Sequence, residues 1–231
     1  MIPLHDDAPT RRLAAVTLVL IGVNVVVFAF QLALPRWGIT PDGWFYAAGA
    51  RPIELTHGVD VPPGGFIPWW ATLFTSLFVH GGWLHLIFNM VYLWIFGNNV
   101  EDAMTRPRFV AFYVVCGLLA TAAQVLADTR TDVPMIGASG AIAGVLGAYL
   151  VLFPRARVLA VLPLLLIFPV VSVPAWLLLG FWFVLQAVQG VLAAPGSEGV
   201  AFFAHIGGFV AGMVLAHLFV RRPRAAVRRR A

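Results

Sequence analysis

The chain is divided into long stretches without a charged residue: 13–34, 61–100, 109–127, 133–153, 158–197 and 199–220. A hydrocarbon core about 30 Å thick is crossed by roughly 20 apolar helical residues, so each stretch can cross a bilayer. Composition agrees, with 61% hydrophobic and 11% charged residues. A soluble domain is about half apolar and about a quarter charged, and a disordered chain is more polar still. The sequence therefore reads as a polytopic membrane protein, all-α in class. Its 15 basic residues, all arginine, outnumber 10 acids. They sit between the apolar blocks rather than on one patch, which points to membrane topology and lipid headgroups and away from nucleic acid. Cys116 is the only cysteine, which excludes an intramolecular disulfide and a cysteine-based zinc cluster. It reads as inert packing.

The stretch 13–34 follows Arg11-Arg12 and is too long for a signal-peptide core, so it is expected to be a signal-anchor span. The stretches 61–100 and 158–197 hold 40 residues each, enough for two crossings by length. Proline and glycine decide the first, because Pro62, Pro63, Gly64, Gly65 and Pro68 break its start and Gly81-Gly82 interrupt it again. One span is expected at about 82–97, after an aromatic interfacial segment 69–78. Pro163, Pro169 and Pro174 leave one span in the second, at about 174–192. With the remaining stretches this makes six spans: 13–34, 82–97, 109–127, 133–153, 174–192 and 199–220. A short N-terminal segment, 1–12, and a basic tail, 221–231, flank them. With both termini cytoplasmic, 12 arginines lie inside and three (Arg36, Arg51, Arg130) outside. A seventh span would reverse the bias to 6 against 9. The positive-inside rule selects six spans.

All ten acids fall outside these spans, which disfavours carboxylate proton relays and an aspartyl protease. A His-Glu-x-x-His zinc signature is absent, and no metal or cofactor is expected. Three polar groups remain. His80-Gly81-Gly82-Trp83-Leu84-His85-Leu86-Ile87-Phe88-Asn89 opens the second span, Gly137-Ala138-Ser139-Gly140 the fourth, and Ala204-His205-Ile206-Gly207-Gly208 the sixth. These spans all run from outside inward. Ser139, His205 and His85 each lie within about six residues of an outer end, about 9 Å along a helix, and so share one depth. A serine hydroxyl needs a base, and histidine is the usual one, giving a Ser139–His205 dyad. His85 and Asn89, at i and i+4 on one helix face, are candidate oxyanion donors together with the backbone N–H of Ser139. Gly140, Gly144 and Gly147 on the fourth span, and Gly208 and Gly212 on the sixth, would let those helices approach closely. His217 reads as a packing residue, and His80 as a supporting or interfacial one.

These residues resemble the rhomboid family of intramembrane serine proteases. The likeness runs from about Trp69 to Val220 and rests on 75–90, on Gly137 to Gly140 and on Ala204 to Gly208. It implies a six-helix core, Ser139 as nucleophile, His205 as general base, and His85 and Asn89 as oxyanion-stabilising residues. It also implies a short fourth helix starting in a hydrated cavity, with a gate formed by 176–183 and 193–199. The substrates would be transmembrane proteins cut in or near their spans, within a cell membrane of the bacterial inner-membrane type. Two positions depart from the family pattern. Ala143 stands where many relatives carry an aromatic against the histidine, and Ala71-Thr72 replaces a Trp-Arg pair. The bulk of Trp83 and Phe88 suggests a small residue before the cut. The alternative function is a non-catalytic rhomboid-like protein that binds transmembrane helices.

Overall fold

The computed structural model describes residues 2–63, 66–162, 168–193 and 200–220. The basic tail, the segment 163–167 and most of the loop 193–199 lie outside the described residues. The chain forms β1 (Ile2–Asp6), α1 (Ala15–Ala33), α2 (Pro41–Ala48), α3 (Pro52–His57), α4 (Trp69–Thr75) and α5 (Trp83–Ala103). It continues with α6 (Arg106–Ala127), α7 (Ser139–Leu152), β2 (Arg157–Val161), β3 (Val170–Pro174), α8 (Ala175–Leu192) and α9 (Phe202–Phe219). Among the described residues, four helices or helix runs are long and apolar enough to cross a membrane: 15–37, α6, α8 and α9. A fifth crossing can come from the segment 69–78 and α5, which meet at a 78° bend. The protein is a helical, multi-pass membrane protein.

α7 is the hub. Every residue from Gly140 to Tyr149 is buried, against α5, α6 and α9. Its 14 residues rise only about 21 Å, so it does not reach across a hydrocarbon core. The stretch 133–153, expected to be one span, is helical only from Ser139. The residues before it are extended and tied down: Met135 pairs with Ala50, and the Gly137 N–H donates to Ser76 O at 2.8 Å. Gly137 has φ +114°, a region a side chain rarely allows.

The loop between α1 and α4 is anchored from within. Arg51 is fully buried, paired with Glu54 at 2.7 Å and with Asp132, and donates to Val61 O at 2.6 Å. This cluster holds the loop to the segment leading into α7; Ala71 and Thr72 lie apart from it, on α4.

One expected bound shifts, and two segments outside the helices carry strands. α5 does not stop near residue 97 but runs to Ala103, which brings Glu101 inside a helix and buries it. Glu101 accepts the N–H groups of Val16 and Thr17 at 3.0 and 2.7 Å, capping α1, whose own Ala14 cannot. The charge-free residues before α8 are partly strand, and the N-terminal segment carries a strand too. β1, β2 and β3 form an antiparallel sheet in that order. Asp6 of β1 is buried and accepts the Tyr149 hydroxyl of α7.

Candidate active site

Ser139 is the first residue of α7, and His205 lies in the first turn of α9. Ser139 Oγ and His205 Nε2 stand 2.8 Å apart. Glycine makes the approach possible. A Cβ on Gly208 would collide with the Gly140 carbonyl, and one on Gly212 with that of Gly144. The backbones touch where side chains would otherwise keep them apart.

The other ring nitrogen of His205, Nδ1, lies 2.7 Å from Gln186 Oε1 on α8. Trp182, one helical turn earlier, sets its ring 5.9 Å from the imidazole at an interplanar angle of 37°. Trp182 and Phe183 also pack on Phe209, which seats α8 against α9. An aromatic ring thus does lie against His205, but it comes from α8 and not from position 143; Ala143 is buried.

His85 and Asn89 stand one turn apart on α5. The His85 Nδ1 is 3.2 Å from the Gly81 N–H, which donates to it. A neutral ring accepting at Nδ1 carries its proton on Nε2. That nitrogen faces Gly137, where a Cβ would stand 2.7 Å from it and 3.8 Å from Ser139 Oγ. Asn89 donates to His85 O at 2.9 Å, which uses one of its two amide hydrogens. The first helical bond of α7 runs from the Ile142 N–H to Ala138 O, and Ala138 provides no side-chain cap. The Ser139 N–H therefore belongs to the unpaired start of the helix.

Ser139, His205, His85 and Asn89 line one cavity of about 1170 Å³, which Gln124 and Trp182 also border. His80 lies behind it, fully buried, its ring 5.1 Å from that of His85 and its backbone N–H and C=O held by Gln31. Phe88 lines the cavity, whereas Trp83 packs edge-on against Phe28 of α1. Trp83 is therefore withdrawn as a constraint on substrate. His217 is exposed and Cys116 is buried beside Gly144. Among the described residues no three His, Cys, Asp or Glu are grouped so as to hold a metal ion. Gln186 carried no expectation from the sequence, and Trp182 entered only within the expected gate 176–183. The available signal was Gln186 itself, a carboxamide within a span.

Residues 68–222 match the family model described as the Rhomboid domain. The chain belongs to the rhomboid family. The match takes in every residue around the rhomboid cavity named above and leaves out β1, α1 and, of the Arg51 cluster, Arg51, Glu54 and Val61. The RHOMBOID-like protein 5 of Arabidopsis thaliana is 30% identical over 158 residues, 65% of this chain and 44% of that one. Rhomboid protein 1, mitochondrial, of Saccharomyces cerevisiae is 31% identical over 204 residues, 84% and 50% of the two chains. Rhomboid protease GluP of Bacillus subtilis is 39% identical over 82 residues, 36% and 15%. The chain spans about half the length of the first two of these relatives. The rhomboid family includes proteins named as proteases.

Proposed function

We propose that this rhomboid protein is an intramembrane serine endopeptidase in which Ser139 is the nucleophile and His205 the general base. The observation that carries the reading is the 2.8 Å contact between Ser139 Oγ and His205 Nε2, both lining a cavity inside an apolar helix bundle. His205 Nε2 takes the hydroxyl proton as Oγ bonds to the scissile carbonyl carbon. The same proton then passes to the departing amine nitrogen as the C–N bond breaks. Nε2 then deprotonates a water that attacks the acyl carbon, and returns that proton to Ser139 Oγ as the ester bond breaks. The oxyanion is stabilised by the Nε2–H of His85, by the free amide hydrogen of Asn89 and by the backbone N–H of Ser139. The tautomer imposed on His85 by the Gly81 N–H supports this assignment.

The substrates are transmembrane proteins, presented within the lipid of a cell membrane. Six spans with both termini cytoplasmic put Ser139 near the outer surface, with the bent 69–78/α5 pair as the second crossing and α7 together with the extended residues 133–138 before it as the fourth. The cut then falls near the outer boundary of the substrate's helix. A helical carbonyl is hydrogen-bonded along the axis and cannot reach Ser139 without local unwinding. Unwound backbone costs several kcal/mol in lipid, so unwinding is confined to the hydrated cavity.

A fluorophosphonate probe and a single-span substrate test the reading on detergent-solubilised protein. The probe is expected on Ser139. Ser139→Ala and His205→Ala each abolish cleavage, and the double variant is no worse, because the two act as one unit. Full cleavage by folded Ser139→Ala protein refutes the assignment of the nucleophile, whereas a folded wild type that neither labels nor cleaves leaves a helix-binding role.

A further inference from the structure

We infer that Gln186 is a positioning residue for this reaction: its carboxamide oxygen accepts the Nδ1–H of His205 and holds the imidazole in the tautomer and orientation that Ser139 requires. The inference rests on the protease reading above and deepens it.

To take the Ser139 proton, His205 must keep Nε2 unprotonated, so a neutral ring carries its hydrogen on Nδ1. In a triad a carboxylate accepts that hydrogen and fixes the ring. No carboxylate bonds to His205 among the described residues. Gln186 Oε1 occupies the place, 2.7 Å from Nδ1. The residue is only 8% exposed, on a helix whose remaining sequence, apart from Gln189, is apolar or glycine. A buried amide is costly unless it is bonded, and the bond found here is to His205.

Trp182 and Gln186 are four residues apart and therefore share one face of α8. That face grips the imidazole twice, with Trp182 against the ring and Gln186 on its Nδ1 edge. As the ring takes up the Ser139 proton, the Nδ1–H···Oε1 bond becomes charge-assisted and strengthens. An interaction that gains strength on the way to the transition state acts on kcat and leaves substrate binding alone. A carboxamide stabilises the imidazolium less than a carboxylate would, and it adds no charge to an apolar span.

Three variants and one spectrum test this. Gln186→Met keeps the side-chain length and removes the acceptor. It is expected to lower kcat roughly 10- to 100-fold, short of the ~10⁴ lost when the wrong tautomer is imposed on a triad. KM stays unchanged, and fluorophosphonate labelling of Ser139 slows by the same factor. Gln186→Glu, which retains an acceptor oxygen, recovers most of the rate, whereas Gln186→Leu does not. A loss confined to KM, or one that Gln186→Glu fails to restore, overturns the inference. Nitrogen-15 histidine spectra of the wild-type protein give a reading independent of any variant's folding: a neutral His205 protonated on Nδ1 is expected, and protonation on Nε2 overturns it. Wild-type protein unlabelled at Ser139 removes the protease reading and the inference with it. A labelled wild type beside a Gln186→Met protein of full activity removes the inference alone.

Discussion

Arg51 and Asp6 are two charged residues whose sequence setting concealed what they do. In the topological reading Arg51 is one of three external arginines. In the structure it is fully buried and tied to Glu54 and Asp132. Asp6, expected in a cytoplasmic segment, is buried beside Tyr149. Burial pushes the Asp6 carboxyl above the usual aspartate range, while the Tyr149 hydroxyl opposes the shift. A carboxyl with a raised folded-state value binds its proton more tightly in the folded protein. Its contribution to stability is full below the unfolded value, about 4, and is lost as pH rises through the folded one. The thermal midpoint of the wild type should therefore fall relative to that of Asp6→Asn as pH is raised above about 4. Parallel curves for the two proteins would contradict a raised Asp6.

Among the elements, the contact between α7 and α9 sets the distance between Ser139 and His205. It was legible in advance, because glycines four apart on both helices are a local pattern with one physical use. The caps were not. α6 starts at its own Thr105, which accepts the Arg108 N–H at 3.4 Å. α1 is capped by Glu101, more than eighty residues away, and nothing near Ala14 signals it. Glycines of two kinds provide the test at this scale. Gly212→Ala forces a Cβ into the Gly144 carbonyl, whereas a Cβ on Gly180 of α8 meets nothing within 4 Å. Gly212→Ala should cost about 1–3 kcal/mol or more and depress cleavage as the two helices part. Gly180→Ala should be neutral or slightly stabilising, as a helical Gly→Ala change is where space allows. Unfolding midpoints and cleavage rates of the two variants measure the contrast, and equal effects would argue against a Gly-mediated contact.

For the whole molecule, the proposed orientation sets from which side the cavity is reached. Reporters fused after Arg106 and after Val220 should read cytoplasmic, and reporters near Asp60 and Asp132 external, given the 12 to 3 arginine split. An external reading after Val220 would sink the six-span count and the outer position of the cut. The sheet belongs to this scale too. β1 joins the chain's start to the segment after α7, at the helix end opposite Ser139. That end is thereby held by backbone hydrogen bonds as well as by packed helices.

Absence of charge over about 20 residues, an arginine bias summed over loops, and glycine spacing along a helix are local quantities. They were enough to establish a helical membrane protein and to single out Ser139, His205, His85 and Asn89, the first three at one expected depth. The break at 79–82 was legible for the same reason, since Gly81-Gly82 interrupts any helix. Tertiary structure decided what faces what. The bond from Gln186 to His205, the ring of Trp182 where position 143 is alanine, and the Arg51 cluster depend on how helices and loops are rotated about one another. The pairing of β1 with β2 joins residues more than 150 positions apart. Hydropathy says only that a side chain leaves water. Which polar partner it meets there is set by packing, because inside an apolar bundle an unsatisfied amide or charge is too costly to leave alone.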